Sequence, residues 1–198
     1  MVIISSINPD NLALNAEIKY KYNHYIIYKS NLSEYFAHIL KPDDVKVWKN
    51  CVRNFIDQDH NQILFIGKGA NPQQNEAAGC IVTGQVNLSG KNPLIGKNDN
   101  KYGPRFFDVT DLYSKELREN LFTTGEDLIS GNILIPHNVE NLSELEQKVL
   151  DMEDINFAGI TKDIFAGALT AKHAGAESAG LLIFHVEYDL EKVVSLGK

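Results

Sequence analysis

Cysteine is scarce: Cys51 and Cys80 are the only two in 198 residues, so no disulfide framework carries this fold. Free thiols in a reducing compartment are the expectation. No hydrophobic run approaches the roughly 20 residues that a membrane-spanning helix needs. The opening "MVIISSINPDNLAL" lacks the basic start and long apolar stretch of a secretory signal. A cytoplasmic protein without a membrane partner is therefore expected. Basic patches are missing too. The net charge is -7 and the pI about 5.3, and the densest basic cluster, "KVWKNCVR", alternates with apolar residues as a helix surface does. An acidic chain repels phosphate backbones, which argues against a nucleic-acid partner. The six histidines (His24, His38, His60, His137, His173, His185) have no metal-ligand spacing, and no cysteine pair supports zinc. Spacing reveals no Ser/His/Asp or Cys/His set.

What remains is an ordinary globular balance, 43% hydrophobic and 23% charged, in a length that suits one domain over residues 1–198. From Asn61 onward strand and helix patterns alternate. "QILFI" (Gln62 to Ile66) and "GCIVTGQV" (Gly79 to Val86) read as strands. "DVTDLYSKELRENLF" (Asp108 to Phe122) carries Leu112, Tyr113, Leu117 and Leu121 at helical spacing. "NILIP" is a strand, and "SELEQKVLDM" a helix with the Ser143/Glu146 spacing of a capping box and Leu145, Val149 and Met152 on one face. "INFAGI" is a strand, "DIFAGALTAKHAG" (Asp163 to Gly175) a helix stopped by Gly175, and "AGLLIFHV" (Ala179 to Val186) a last strand. This order predicts an α/β domain with a mixed, largely parallel central sheet flanked by helices. Upstream, "YNHYIIYK" reads as a strand and "DDVKVWKNCVRNFID" as an amphipathic helix, capped by Asp43 or Asp44, with Val45, Trp48, Val52 and Phe55 inward. Residues 1–20 have no assignable pattern.

Candidate site residues are sparse. "GKGANP" follows a strand, but Gly67-Lys68-Gly69 is only part of a dinucleotide fingerprint, and no Ser or Thr follows Lys68. A strand-ending turn is the plainer reading. His173, near a helix end, suits the dipole there. His185 ends the last strand, where open α/β sheets place ligands. Glu140, Glu144 and Glu146 read as a solvated helix entry.

The stretch "VNLSGKNPLIGKNDNKYGPRF", Val86 to Phe106, crowds Asn, Gly and Pro into a loop long for a compact domain. With its continuation "FDVTDLYSKELR" it resembles the trimeric purine nucleoside phosphorylases. Their segment runs Ile-Asn-Leu, Gly-x-Asn-Pro-Leu-x-Gly-x-Asn-Asp, Arg-Phe-Gly-x-Arg-Phe, a Met-Ser-x-x-Tyr element and Leu-Arg. The similarity is clearest over 62–186, and residues 1–60 are diverged and shortened.

The resemblance implies a nucleoside phosphorylase-like fold, a purine nucleoside as ligand, no cofactor, and phosphate as co-substrate if activity persists. It also implies a homotrimer, in which loop 86–106 contacts a neighbouring subunit and Tyr102 takes the place of the aromatic residue lining that neighbour's site. Carried over by residue, Tyr35 in "SNLSEYF" stands for a ribose-contacting tyrosine, with Asn31 and Ser33 where the family has Arg and His. "FIGKG" stands for a phosphate-binding turn, with Lys68 and Gly69 in it. Leu142 falls where the family has its purine-reading glutamate, and only a shift of two residues offers Glu140 or Glu144 instead. Gly159, Ile160 and Thr161 replace Gly-Met-Ser, Ile160 packing on ribose and Thr161 keeping a phosphate-donating hydroxyl. His185 or Val186 takes the base-reading asparagine's place. No glycine-serine loop is recognisable before Asn61. The scaffold matches and most of the catalytic groups do not, so a non-catalytic oligomeric structural or binding module is expected. The alternative is an active phosphorylase or hydrolase with a rebuilt site, cleaving the N-glycosidic bond of purine nucleosides.

Overall fold

In a computed structural model, residues 1–12, 14–122 and 128–185 are described. They form one nine-stranded sheet with helices against it. The strands are β1 (Val2–Ser5), β2 (Ala16–Lys21), β3 (Tyr25–Ser30), β4 (Phe36–Ile39), β5 (Gln62–Lys68), β6 (Gly79–Asn87), β7 (Leu128–Ile135), β8 (Phe157–Ile160) and β9 (Glu177–Ile183). Their spatial order is β2-β3-β4-β1-β5-β9-β6-β7-β8. β4, β1, β5 and β9 run parallel to one another, as do β6, β7 and β8; the β6–β9 seam and the β2–β3–β4 hairpins are antiparallel. The expected mixed, largely parallel α/β sheet is what the chain forms.

β1, which sequence patterning leaves unassigned, lies in the middle of the sheet between β4 and β5, with all four residues buried. A strand covered on both faces is continuously apolar, and four residues give no period to detect. β4 is equally short, with three of its four residues buried.

The far end of the sheet curls back. Ala70, just after β5, exchanges two backbone hydrogen bonds with Ile160 at the end of β8, at 2.8 and 3.0 Å. Gly159 sits inside this curl; a Cβ there would lie 2.7 Å from Leu182 Cδ1 and 3.3 Å from Ile133 Cγ2.

Helix α1 (Val45–Ile56) starts at Asp44, whose carboxylate accepts from the Lys46 amide. It buries Val47, Trp48, Cys51, Val52 and Phe55, and the Trp48 indole N–H donates to the Pro42 carbonyl at 2.8 Å. Helix α2 (Lys115–Phe122) is shorter than the predicted 108–122: Asp108 to Ser114 form turns, although Leu112 and Tyr113 are still buried. Helix α3 (Glu144–Leu150) has the complete capping box. Of its expected inner face, Val149 packs against the core while Leu145 and Met152 are exposed.

Helix α4 (Phe165–His173) is almost wholly buried, and Gly175 stops it at φ 74°, a conformation that glycine adopts without a Cβ penalty. His173 is not the solvated terminal cation that its position suggests. Its ring is buried edge-on to Phe107, and burial lowers its pKa, disfavouring the charged form. Both cysteines are free and buried, and burial raises the Cys80 thiol to about 12. Among the described residues, no helix is long and apolar enough to cross a membrane.

Candidate functional site

Four strands, β1, β5, β7 and β8, send the segments after their carboxyl ends to one cavity of about 540 Å³. Ser6 follows β1; Lys68 ends β5 and Gly69 and Ala70 follow it; Asn138, Val139 and Glu140 come after β7; Ile160 ends β8 and Thr161 to Asp163 follow it. Pro42 and Asp43, beyond β4, complete the wall. Such placement follows from topology, since parallel strands leave their carboxyl-end loops free to gather around a ligand.

The floor is a tight polar cluster. Thr161 Oγ1 donates to the Lys68 carbonyl at 2.5 Å and accepts from the Asp163 amide at 3.0 Å. The Asp163 carboxylate accepts from the Lys68 amide at 3.0 Å and, through the same Oδ2, from the Ser6 hydroxyl. Burial pushes the Asp163 carboxyl above its ordinary pKa; the Ser6 hydroxyl and Lys68 amide oppose that rise, and the nearby Asp43 charge adds to it. Gly67 permits this approach: a Cβ there would stand 2.8 Å from both Asp163 Cβ and Ile164 Cγ2. Ile164 takes φ 57°, a left-handed conformation that is strained for a β-branched residue, and it is fully buried. That strain lies directly beneath the cavity, where packing against β5 holds it.

Among the residues singled out by sequence, Lys68, Gly69, Glu140, Ile160 and Thr161 share this cavity. Gly159 lies just beneath, turned toward Leu182. Leu142 belongs instead to a small apolar cluster with Leu134, Phe157 and Ile160. His185 is exposed beyond the end of β9, and Val186 lies outside the described residues.

Tyr35 requires a correction. "SNLS" is the β3–β4 turn, closed by the Ser30 amide donating to the Ser33 carbonyl, and it lies at the amino ends of the strands. The Tyr35 carbonyl accepts from Ile3 near the start of β1, and its ring packs on Phe55 and His60 beneath the Lys19 ammonium. It is a full strand length from the cavity, and the segment that does reach the cavity from this region is Pro42-Asp43.

Tyr102 is held by its own chain: its hydroxyl donates to Asp57 Oδ2 at 3.0 Å, and the Arg53 guanidinium lies 4.1 Å from its ring centre. The neighbouring Lys101 ammonium, 2.6 Å from Asp57, holds that carboxyl below its usual range. Gly103 follows, so close to α4 that a Cβ would lie 2.0 Å from the His173 carbonyl oxygen. The rest of the loop leaves Ile95, Phe106 and Val109 exposed around a hollow that Phe107 and His173 also line.

Sequence reasoning missed Ser6, Asp43 and Asp163. Ser6 follows the strand that patterning could not assign. Asp163 stands one residue before the α4 cap position, Ile164; its carboxylate turns to Ser6 and Lys68, and α4 begins without a side-chain cap bond.

No family model matches the chain. It is similar to purine nucleoside phosphorylase of Anopheles gambiae, 28% identical over 118 residues that cover 54% of this chain and 32% of that protein. It is also similar to purine nucleoside phosphorylase 1 of Geobacillus stearothermophilus, 30% identical over 104 residues covering 51% of this chain and 38% of that protein. The matched segment thus spans only about a third of these relatives' length. In structure it resembles isoform 2 of the Schistosoma mansoni purine nucleoside phosphorylase, crystallised with cytosine and ribose-1-phosphate. The TM-score is 0.73 at 13% identity, covering 97% of this chain and 82% of that one. A schistosoma purine nucleoside phosphorylase bound to hypoxanthine gives the same TM-score at 12% identity. On that structural similarity over nearly its whole described length, the chain has a diverged form of the purine nucleoside phosphorylase fold.

Proposed function

We propose that this protein is a non-catalytic relative of the purine nucleoside phosphorylases, serving as an oligomeric structural or binding module. One observation carries the reading. The groups that the resemblance assigns to phosphate, the Thr161 hydroxyl and the amide of Lys68, already bond within the chain, to the Lys68 carbonyl and to Asp163. Phosphorolysis needs phosphate held beside the sugar as charge develops on it, so donors committed elsewhere remove a principal catalytic term. The charges around the cavity agree: Asp43, Glu140 and Asp163 outnumber Lys68 and Lys162. A purine nucleoside is the ligand that the cavity's volume and the fold's relatives favour.

The module is a homotrimer, with loop 86–106 reaching a neighbouring subunit. The exposed Ile95, Phe106 and Val109 on and beside that loop support this, because apolar side chains gathered around one hollow mark contact surfaces. The acidic composition and two free thiols favour a cytoplasmic setting. Light scattering after size exclusion tests the assembly, and a monomeric mass would count against it. Purified protein incubated with inosine or guanosine and phosphate should release no free base; turnover at an enzyme-like rate would sink the proposal.

A second reading, an active phosphorylase or hydrolase with a rebuilt site, draws on the meeting of Lys68, Glu140 and Thr161 in one cavity. The same incubation decides between the two.

A further inference from the structure

We propose that the Asp163 carboxylate is a built-in anion: it fills the cavity's oxyanion-binding donors, so the site excludes inorganic phosphate. This rests on the non-catalytic reading above and gives it a physical cause. A hydroxyl and a backbone amide, from Ser6 and Lys68, converge on a single carboxylate oxygen, Oδ2. Donors gathered on one point are what a bound oxyanion requires, and charge-assisted bonds of this kind are the strong ones.

The carboxylate comes from the turn after β8, and the donors come from the ends of β1 and β5. Three separate segments thus meet on one carboxylate, and the Ser6 hydroxyl and Lys68 amide favour its charged form against the burial that opposes it. Lys68 adds its side chain to the same cavity wall, so a positive group already stands beside the donors. An external phosphate would have to displace Asp163 and then sit against that carboxylate, with Asp43 and Glu140 on the same wall. Like charges at this range oppose entry, and the cavity is left to uncharged or cationic ligands.

Removing the carboxylate should expose the donors. The experiment is a titration of full-length protein with inorganic phosphate, without nucleoside, read by calorimetry and thermal shift, with sodium chloride at matched ionic strength as control. The wild type should show no saturable response at millimolar phosphate. Asp163→Ala should bind about tenfold tighter or better. Adding Ser6→Ala to that variant should take most of the gain away. Asp163→Asn keeps an acceptor without its charge, so a smaller but measurable gain is expected, and this variant is read if Asp163→Ala does not fold.

Saturable wild-type binding as tight as that of Asp163→Ala overturns the proposal. So does a folded, phosphate-silent variant. Nucleoside cleavage by the wild type in phosphate-free buffer would defeat the non-catalytic reading and leave the role of Asp163 standing, so the two fail separately.

Discussion

Replacing Glu146 with alanine should loosen the whole 137–143 segment, which carries Glu140 to the cavity. The Glu146 carboxylate is nearly buried and accepts three hydrogen bonds: from the His137 amide at 2.6 Å, and from the Ser143 amide and hydroxyl, each at 2.7 Å. The Ser143 hydroxyl first, then the two amides, hold this carboxyl below its ordinary pKa. Bonds to a charged acceptor contribute roughly 1.5–3 kcal/mol each, but His137 and Ser143 are exposed and water replaces part of the loss. About 1 kcal/mol per bond then gives about 3 kcal/mol in total, or roughly 6–12 °C in Tm for a chain of this size. Differential scanning calorimetry at pH 7 measures it.

The pH dependence supplies an independent check. A carboxyl whose folded pKa is depressed contributes stability above its unfolded value, about 4.3, and loses that contribution as pH falls through the folded value. The Tm gap between wild type and Glu146→Ala should therefore be full at pH 7 and shrink below about pH 4. A gap under about 1 °C at pH 7, or one that does not change with pH, would refute the reasoning.

Two further substitutions probe the cavity floor and the long loop. Thr161→Val leaves the Lys68 carbonyl and the Asp163 amide without their shared hydroxyl in a buried place, at a cost of about 2–3 kcal/mol in urea denaturation. Thr161→Ser should restore most of it, and equal stability of all three proteins would mean the bridge carries no weight. Gly103→Ala forces a methyl onto the His173 carbonyl, so the loop must lift from α4, costing about 1–3 kcal/mol and speeding amide exchange around Tyr102. An unchanged exchange rate there would place the loop elsewhere.

How much of this was legible without coordinates depended on local signals. β5, β6, the capping box of α3 and the stop at Gly175 each carry their cause within a few residues. The same is true of the loop at Val86 to Phe106, whose motif announces the fold. β1 was not legible, because a strand buried on both faces has no alternation, and with it went Ser6. Tyr35 was misplaced because matching a short diverged segment by letters ignores the hairpin in which "SNLS" is the turn. Glu146 and His173 looked solvated on their own helices; a neighbouring segment buries each of them, the His137 amide over one and Phe107 over the other. The role of Asp163 needs β1, β5 and β8 brought together, which nothing in its own neighbourhood encodes.

The curl that brings Ala70 back to Ile160 also decides how this protein can meet its own copies. A sheet edge is a row of unpaired backbone groups, a ready template for another chain's strand. Here the outer side of β8 is occupied from within: Ala70 bonds both polar groups of Ile160, and the Gln73 side chain donates to the Phe157 carbonyl. At the opposite border, β2 is broken by a bulge and set with Glu17, Lys19 and Lys21. Strand-by-strand extension is thus blocked at one border and discouraged at the other. Association is directed away from the backbone and onto side-chain surfaces, where shape and not hydrogen-bond register chooses the partner.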